Sequence, residues 1–442
     1  TLGVALVTSV MVGLVPAIRS ASPALQSALR DGARGASTGA GRERLRALLV
    51  AAEVALAMTL LIGSGLLIRT AWHLQHVDPG FNPSHVTTAR LLLPKARYSD
   101  PGHITRTYEQ IRAAAAQIPG VQRAALVSVV PLSGGILDTR ITPEGKQLTP
   151  DEQIEVDIRY ASPDYFAAMG MPMLDGRDFV RTDDAGAVPV AILSASLARK
   201  LWPGERATGR RIDAMSEKRG SPNWMTVVGV VADVHSSALN VDATPTLYMP
   251  FTQTPPGMWN ATARSLVLVA RTVSTPESAV RELQRAVMSV DASLPLVDVT
   301  TMESLLSKSV ATTRFNTLLL TALGALALAL ASVGVYSVVA YFVSQRTREI
   351  GVRMALGATP RDIWQLVLSR GLRPIFWGAL LGGALSLATV GLLREQLYGV
   401  QPQDPTTLLM VVATLFFVAL IATFVPARRA MRVTPARALT AD

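Results

Sequence analysis

The chain has 442 residues, 49% of them hydrophobic but only 5% aromatic, with a mean hydropathy of +0.33. Its 42 Lys and Arg against 32 Asp and Glu give a formal net charge of +10, and it contains no cysteine. This composition excludes disulfide staples, thiolate zinc sites and a cysteine nucleophile, and it is too apolar for an ordinary soluble chain of this length.

The apolar residues are gathered into blocks. A helix needs about 20 mostly apolar residues to cross a hydrocarbon core. The first block, Leu2–Ile18, is slightly short because the chain starts inside it, at Thr1 and with no cleavable signal, so the chain reads as a piece of something longer. Four more blocks follow: Ala47–Leu67, Thr317–Tyr341, Ile375–Leu393 and Thr407–Val425. None carries the polar stripe of a soluble surface helix. The expected fold class is an α-helical membrane protein of five spans (1–18, 47–68, 315–344, 374–393 and 407–427) with a large mixed α/β extracytoplasmic domain at 69–314.

Orientation follows from the arginines. Segment 19–46 holds Arg19, Arg30, Arg34, Arg42, Arg44 and Arg46; segment 345–373 holds Arg346, Arg348, Arg353, Arg361, Arg370 and Arg373; the tail 428–442 begins at Arg428 and Arg429. The short loop 394–406 has one arginine and two acids. Basic short loops stay in the cytoplasm, so the domain at 69–314 is expected on the outer side of the membrane. Topology explains the positive charge, and nucleic acid is not an expected partner.

Within the outside domain, Val86–Leu93, Ala124–Val130, Ile154–Tyr160, Val188–Leu193, Met225–Val231 and Leu266–Val273 have the β-rich or alternating pattern of strands. Helical stretches are expected at Ile104–Ile118, Pro163–Met169, Ala195–Leu201 and from "STPESAVRELQRAV", where Ser274 and Glu277 have capping-box spacing and Pro276 suits a first turn. His73 and His76 lack a third ligand, and Asp175, Asp183 and Asp184 lack the ladder and closing Glu of a calcium loop. There is no G-x-S-x-G element. No enzyme, metal site or cofactor is expected on this chain.

The most informative stretch is "QRTREIGVRMALGATPRDIWQLV", Gln345–Val367. A helix is expected to continue out of the membrane and stop at Gly357. Thr359 then serves as N-cap, Pro360 as the first helical residue and Asp362 as a dipole-favouring third. Any Arg/Lys linker could supply the charge, so the apolar Ile350, Met354 and Leu356 favour a docking surface over a bare anchor.

"QRTREIGVRMALGATPRDIWQLVLSRG" resembles the signature of FtsX-like permeases, membrane subunits of MacB-type ATP-binding-cassette systems. "YFAAMGMPMLDGRDF" and "LARKLWPGERATGRRI" resemble the MacB-like periplasmic core domain. The resemblance implies one span before the outside domain and three after it. It also implies that the elbow of Arg346, Arg348, Glu349, Ile350, Gly351, Arg353, Met354, Ala355, Leu356, Gly357, Ala358, Thr359 and Pro360 rests on an ATPase. No G-x-x-x-x-G-K-[ST] occurs in the chain, so ATP and Mg are expected on a partner ATPase. The exit of the first block, from Val15, lines up without gaps on the sequence from Val425, sharing Val-Pro-Ala, an arginine at the fifth place and Ala-Leu further on. The first span thus looks like the end of an upstream permease repeat, as in acidobacterial duplicated orphan permeases, with that repeat or a second copy as a partner.

Inside the spans, Gly378 and Gly382 form a GxxxG pair, and Gly324, Ala325, Ala331 and Gly334 give a second small-residue surface, both suited to helix packing. Glu53, about 10 Å into its span at 1.5 Å per residue from Arg46, is expected to reach toward the headgroups where Arg46 sits. Two functions stay open: export or efflux driven by a partner's ATP hydrolysis, possible with a periplasmic or outer-membrane partner, and a non-transporting mechanotransmission or signalling module controlling an envelope partner.

Overall fold

The structure is a computed structural model that describes residues 37–135, 137–146, 152–214, 223–255, 258–259, 264–273, 276–393, 397–401 and 403–431. The chain divides into one unit of Thr1–Gly65, Leu320–Leu392 and Gln403–Asp442 and another of Leu66–Leu319 and Leu393–Pro402.

In the second unit, eleven strands form one sheet. They are β1 (Val86–Leu92), β2 (Val121–Val127), β3 (Asp138–Pro143), β4 (Ile154–Ala161), β5 (Met173–Gly176), β6 (Val190–Ser194), β7 (Arg211–Ala214), β8 (Trp224–Val231), β9 (Thr246–Pro250), β10 (Ser265–Thr272) and β11 (Leu296–Thr301). The order β11-β1-β10-β2 is antiparallel, and β2 meets β4 through Val127 and Ala161. From β4 the path runs β3-β7-β8-β6-β9, and β9 pairs back onto β4 in parallel, which closes these six strands into a ring; β5 adds to β8. The sequence showed six of these strands. It missed β3, β5, β7, β9 and β11.

Both faces of the central strands are covered, and their sequence says why. On β10, Leu266, Leu268 and Ala270 enter one core while Val267 and Val269 enter another. On β2, Ala124 and Leu126 go one way and Ala125 and Val127 the other. Side chains alternate across a strand, so a strand covered on both faces reads as an unbroken apolar run. Helix α2 (Pro101–Ala116) covers the first face with Ile104, Tyr108 and Ile111, and α5 (Pro276–Val290) joins it with Leu283 and Val287. The short α3 (Tyr165–Met169) covers the second with Tyr165 and Phe166. Helix α2 starts where Asp100 accepts the His103 amide at 2.7 Å and Pro101 follows. Helix α4 (Ala195–Leu201) starts at Ser194, and α6 (Met302–Ser309) at Thr301, whose hydroxyl accepts the Ser304 amide at 3.1 Å. The expected cap Ser274 lies outside the described residues.

The first unit is built from the long helices. These are α1 (Ser37–His76), α7 (Ala311–Gln345), α8 (Thr347–Ala355), α9 (Pro360–Leu393) and α10 (Pro405–Met431), with residues 66–76 of α1 and 311–319 of α7 falling in the second unit. Four segments are long and apolar enough to cross a membrane: Arg44–His76, Ala311–Gln345, Pro360–Thr389 and Pro405–Arg429. The expected fifth span, Leu2–Ile18, and the upstream copy of the internal repeat lie outside the described residues, and the downstream copy from Val425 is described only as far as Met431. Leu319, Leu330, Val333, Leu387, Leu409 and Phe417 are exposed. So much outward apolar surface suits lipid and not water.

Small residues set the helix crossings. A Cβ on Gly378 would lie 2.6 Å from the Ala51 carbonyl oxygen, and one on Gly382 2.6 Å from that of Ala55, so α9 lies directly against the α1 backbone. Gly65 meets Thr407 of α10, and Gly324 faces Leu61. Glu53 corrects an expectation. Its carboxyl does not reach toward Arg46: Oε2 is buried against Gly334 and has no hydrogen-bond partner among the described residues. Arg46 instead lies over the Tyr341 ring, 4.1 Å from its centroid.

Candidate functional site

The elbow between α7 and α9 starts with a break. The continuous helix expected as far as Gly357 is interrupted at Arg346, where φ is −114° and ψ is 18°. The Thr347 hydroxyl donates back to the Val343 carbonyl at 3.0 Å and to that of Ser344 at 3.2 Å. Such back-bonding competes with the helix ladder and bends it. Helix α8 then runs from Thr347 to Ala355 as a separate piece.

The turn that follows is fixed by backbone chemistry. The Ala358 amide donates to the Arg353 carbonyl at 3.0 Å, and the Gly357 amide to that of Met354 at 3.1 Å. This is the Schellman pattern, with Gly357 left-handed at φ +100°. The amide and the hydroxyl of Thr359 both donate to Oδ2 of Asp362, at 2.9 and 2.7 Å. That carboxylate satisfies an orphan donor at the start of α9. Gly357 and Asp362 thus lock the exit and the entry of one tight corner.

Burial sorts the elbow residues by role. Ile350 is 1% exposed and packs with Ile363 and Val367, and Gly351 is buried beside it. These two hold α8 down and offer no surface to a partner, which corrects the expectation that Ile350 and Gly351 rest on an ATPase. Arg346, Met354 and Ala358 are half-buried. Arg348, Glu349, Arg353, Ala355, Thr359 and Pro360 are exposed, and Leu356, at the tip, is 83% exposed. Val352, which is not among the expected docking residues, is exposed as well. Glu349 pairs with Arg353 at 2.7 Å and Arg346 at 3.6 Å. Exposed pairs of this kind contribute about 0.3–0.5 kcal/mol, so they orient the face more than they stabilise it.

The base of the elbow is stacked. Two guanidiniums lie over the Phe342 ring, Arg346 at 4.9 Å and Arg370 at 5.5 Å from its centroid. Trp364 meets Phe424 of α10 edge to face at 5.8 Å. Only the adjacency of Tyr341 and Phe342 to arginines at the end of an apolar run hinted at these stacks in the sequence.

The other candidates are engaged locally. Asp175 accepts from Arg206 and Thr208, which hold its carboxyl well below the ordinary range. Burial pushes Asp183 up, but the Arg177 guanidinium and the Val180 amide outweigh it and leave it lowered. His76 bonds the Trp72 carbonyl at 2.8 Å, and the His73 ring sits against Gly399. Among the described residues, no group of three His, Cys, Asp or Glu could hold a metal ion.

Residues 47–286 match the family described as the MacB-like periplasmic core domain, and residues 321–435 the FtsX-like permease C-terminal family. The pyoverdine export ATP-binding/permease protein PvdT of Pseudomonas syringae pv. tomato is 26% identical over 319 residues, covering 68% of this chain and 47% of that protein. The macrolide export ATP-binding/permease protein MacB of Rhodospirillum rubrum is 28% identical over 286 residues, covering 63% and 42%. The chain spans less than half the length of these relatives. The crystal structure of the periplasmic region of MacB from Actinobacillus actinomycetemcomitans is similar at 15% identity with a TM-score of 0.34, covering 51% of this chain and 92% of that one.

Proposed function

Because the chain belongs to the MacB-type, FtsX-like family of ATP-binding-cassette permeases, we propose that it relays the stroke of an ATPase to its α/β unit for export or efflux. The ATP-hydrolysing domain lies outside these 442 residues, which contain no phosphate loop. The elbow is the docking point. The observation that carries this reading is Leu356: 83% exposed, at the tip of a corner locked by Gly357 and Asp362 and held down by the buried Ile350. An apolar side chain presented on a rigid, arginine-flanked knob is a small anchor for a complementary pocket on a partner.

In this reading the arginine-bearing helix ends face the cytoplasm and the α/β unit the periplasm, across a bacterial inner membrane. Nucleotide-driven motion pushes the elbow, and α7, an unbroken helix of 35 residues, carries the displacement as a stiff lever. The relatives' names speak of pyoverdine and macrolide export, and we extend only the class, export of a substrate, to this chain.

The test uses the full chain with its ATPase in nanodiscs. Leu356→Asp and Val352→Asp should abolish stimulation of ATP hydrolysis while thermal unfolding is unchanged. Unaltered association and stimulation in both variants would show that the elbow does not dock an ATPase. Coupling that fails while an outer partner enzyme loses control, with no cargo moved by the unmodified protein, would favour the non-transporting alternative.

A further inference from the structure

Near the elbow, but distinct from its docking tip, α1, α7 and α9 line an open cavity of about 680 Å³. Two facing stripes line it, and both run from charge to grease. On α1 the stripe is Arg44, Leu48 and Ala51; on α9 it is Arg370, Arg373, Trp377 and Leu381. The spacings of three and four place each set on one helix face.

Three guanidiniums at one mouth repel one another and call for an anion. Among the described residues none of Arg44, Arg370 and Arg373 pairs with a carboxylate; Arg370 leans on the Phe342 ring. The lower wall is exposed and apolar, with Leu48 at 66%, Trp377 at 57% and Leu381 at 53%. From Arg370 to Leu381 the helix rises roughly 17 Å at 1.5 Å per residue. That is close to one leaflet, half of a core about 30 Å thick. A water-soluble anion would satisfy the arginines and leave this wall uncovered.

We propose that the cavity binds one anionic phospholipid, its phosphate held by Arg44, Arg370 and Arg373 and its acyl chains laid against Leu48, Trp377 and Leu381. A basic pocket between membrane helices at headgroup depth has the chemistry for this ligand, and tryptophan is at home at that level. The lipid sits at the root of the elbow, because Arg370 touches both the site and Phe342.

Native mass spectrometry of the full chain, without ATPase, tests the proposal independently of the docking reading. Phosphatidylglycerol and phosphatidylcholine of the same acyl chains are titrated against it. The expected result is preferential retention of phosphatidylglycerol, weakened roughly five-fold for each arginine changed to glutamine. Arg44→Lys, Arg370→Lys and Arg373→Lys together should keep the preference. If the triple glutamine variant does not fold, Arg373→Gln alone still reads the five-fold step. Equal binding of the two lipids, or no loss in the glutamine variants, overturns the proposal. Full displacement by glycerol phosphate, which has no acyl chains, overturns the lipid in favour of a soluble phosphate. A changed oligomeric state with unchanged lipid preference overturns it in favour of a second copy as occupant.

Discussion

A Cβ added to Gly334 on α7 would fall 2.5 Å from Oε2 of Glu53 on α1, so glycine and carboxyl occupy one shared space between the helices. The oxygen there has no hydrogen-bond partner among the described residues. Leaving a buried polar atom unpaired costs about 1–3 kcal/mol. Glu53→Leu should therefore raise stability in detergent by about that much, read as a higher unfolding temperature. Gly334→Ala should cost little, because the flexible carboxyl can swing away, whereas Gly334→Leu should destabilise strongly. A Glu53→Leu variant less stable than the unmodified chain would mean that the carboxyl has a partner in the assembled protein.

Arg159 and Asp157 in the α/β unit are each 2% exposed and meet at 2.5 Å. Arg159 also donates to the Val129 carbonyl at 2.8 Å, and Asp157 accepts the Leu137 amide at 3.3 Å, so the pair ties the β2–β3 connection to β4. Burial raises the Asp157 carboxyl even against the pull of Arg159. Arg159→Leu leaves that charge uncompensated and should cost about 3–5 kcal/mol. Adding Asp157→Val should recover most of the loss. Denaturation followed by tryptophan fluorescence measures both, and a double variant no better than the single one would refute the pairwise account.

The spans were legible because a run of about 20 apolar residues has one explanation that needs no long-range information. The corner was legible for a similar reason: Gly357, Thr359 and Asp362 act within a few residues of one another. Which side of α8 turns inward was not legible, since a nine-residue helix with Ile350, Val352, Met354 and Leu356 nearby offers two apolar faces. The packing of Ile363 and Val367 decides it. Strands β3, β5 and β7 are short and partly polar, and β9 ends in Pro250, so their pairing partners define them and local pattern does not. Glu53 and Gly334 lie far apart in sequence. Nothing near Glu53 announces the glycine that makes room for it.

Asp178 gives the α/β unit a pH dependence of unusual sign. Burial raises its carboxyl from 3.8 to about 6, although the Phe179 amide donates to it at 2.6 Å. Below 3.8 the folded and unfolded chains are both protonated at this residue and no penalty arises. As pH rises from 3.8 to about 6, the unfolded chain ionises first and stability falls; above that the penalty is constant. Asp175, Asp183 and Asp291 are lowered and act oppositely, losing stability as pH falls. Asp178→Asn should therefore match the unmodified chain in acid and exceed it in unfolding temperature at neutral pH. A gap that does not change with pH would contradict the burial-driven shift.

The chain has no cysteine, so single cysteines report topology without background. Val188 in the α/β unit is 70% exposed and Leu356 at the elbow 83% exposed. Surface substitutions of this kind usually change stability by no more than about 0.5 kcal/mol. With a membrane-impermeant maleimide on cells whose inner membrane is intact, Val188→Cys should label and Leu356→Cys should not. After permeabilisation, Leu356→Cys should label too, which separates a position across the membrane from one shielded by a bound partner. The expectation rests on arginine placement alone, since Arg346, Arg348 and Arg353 share the elbow with Leu356 and basic short loops resist translocation. The reverse pattern would invert the whole arrangement, and equal labelling of both sites in intact cells would put elbow and α/β unit on one side, which no odd number of crossings between them allows.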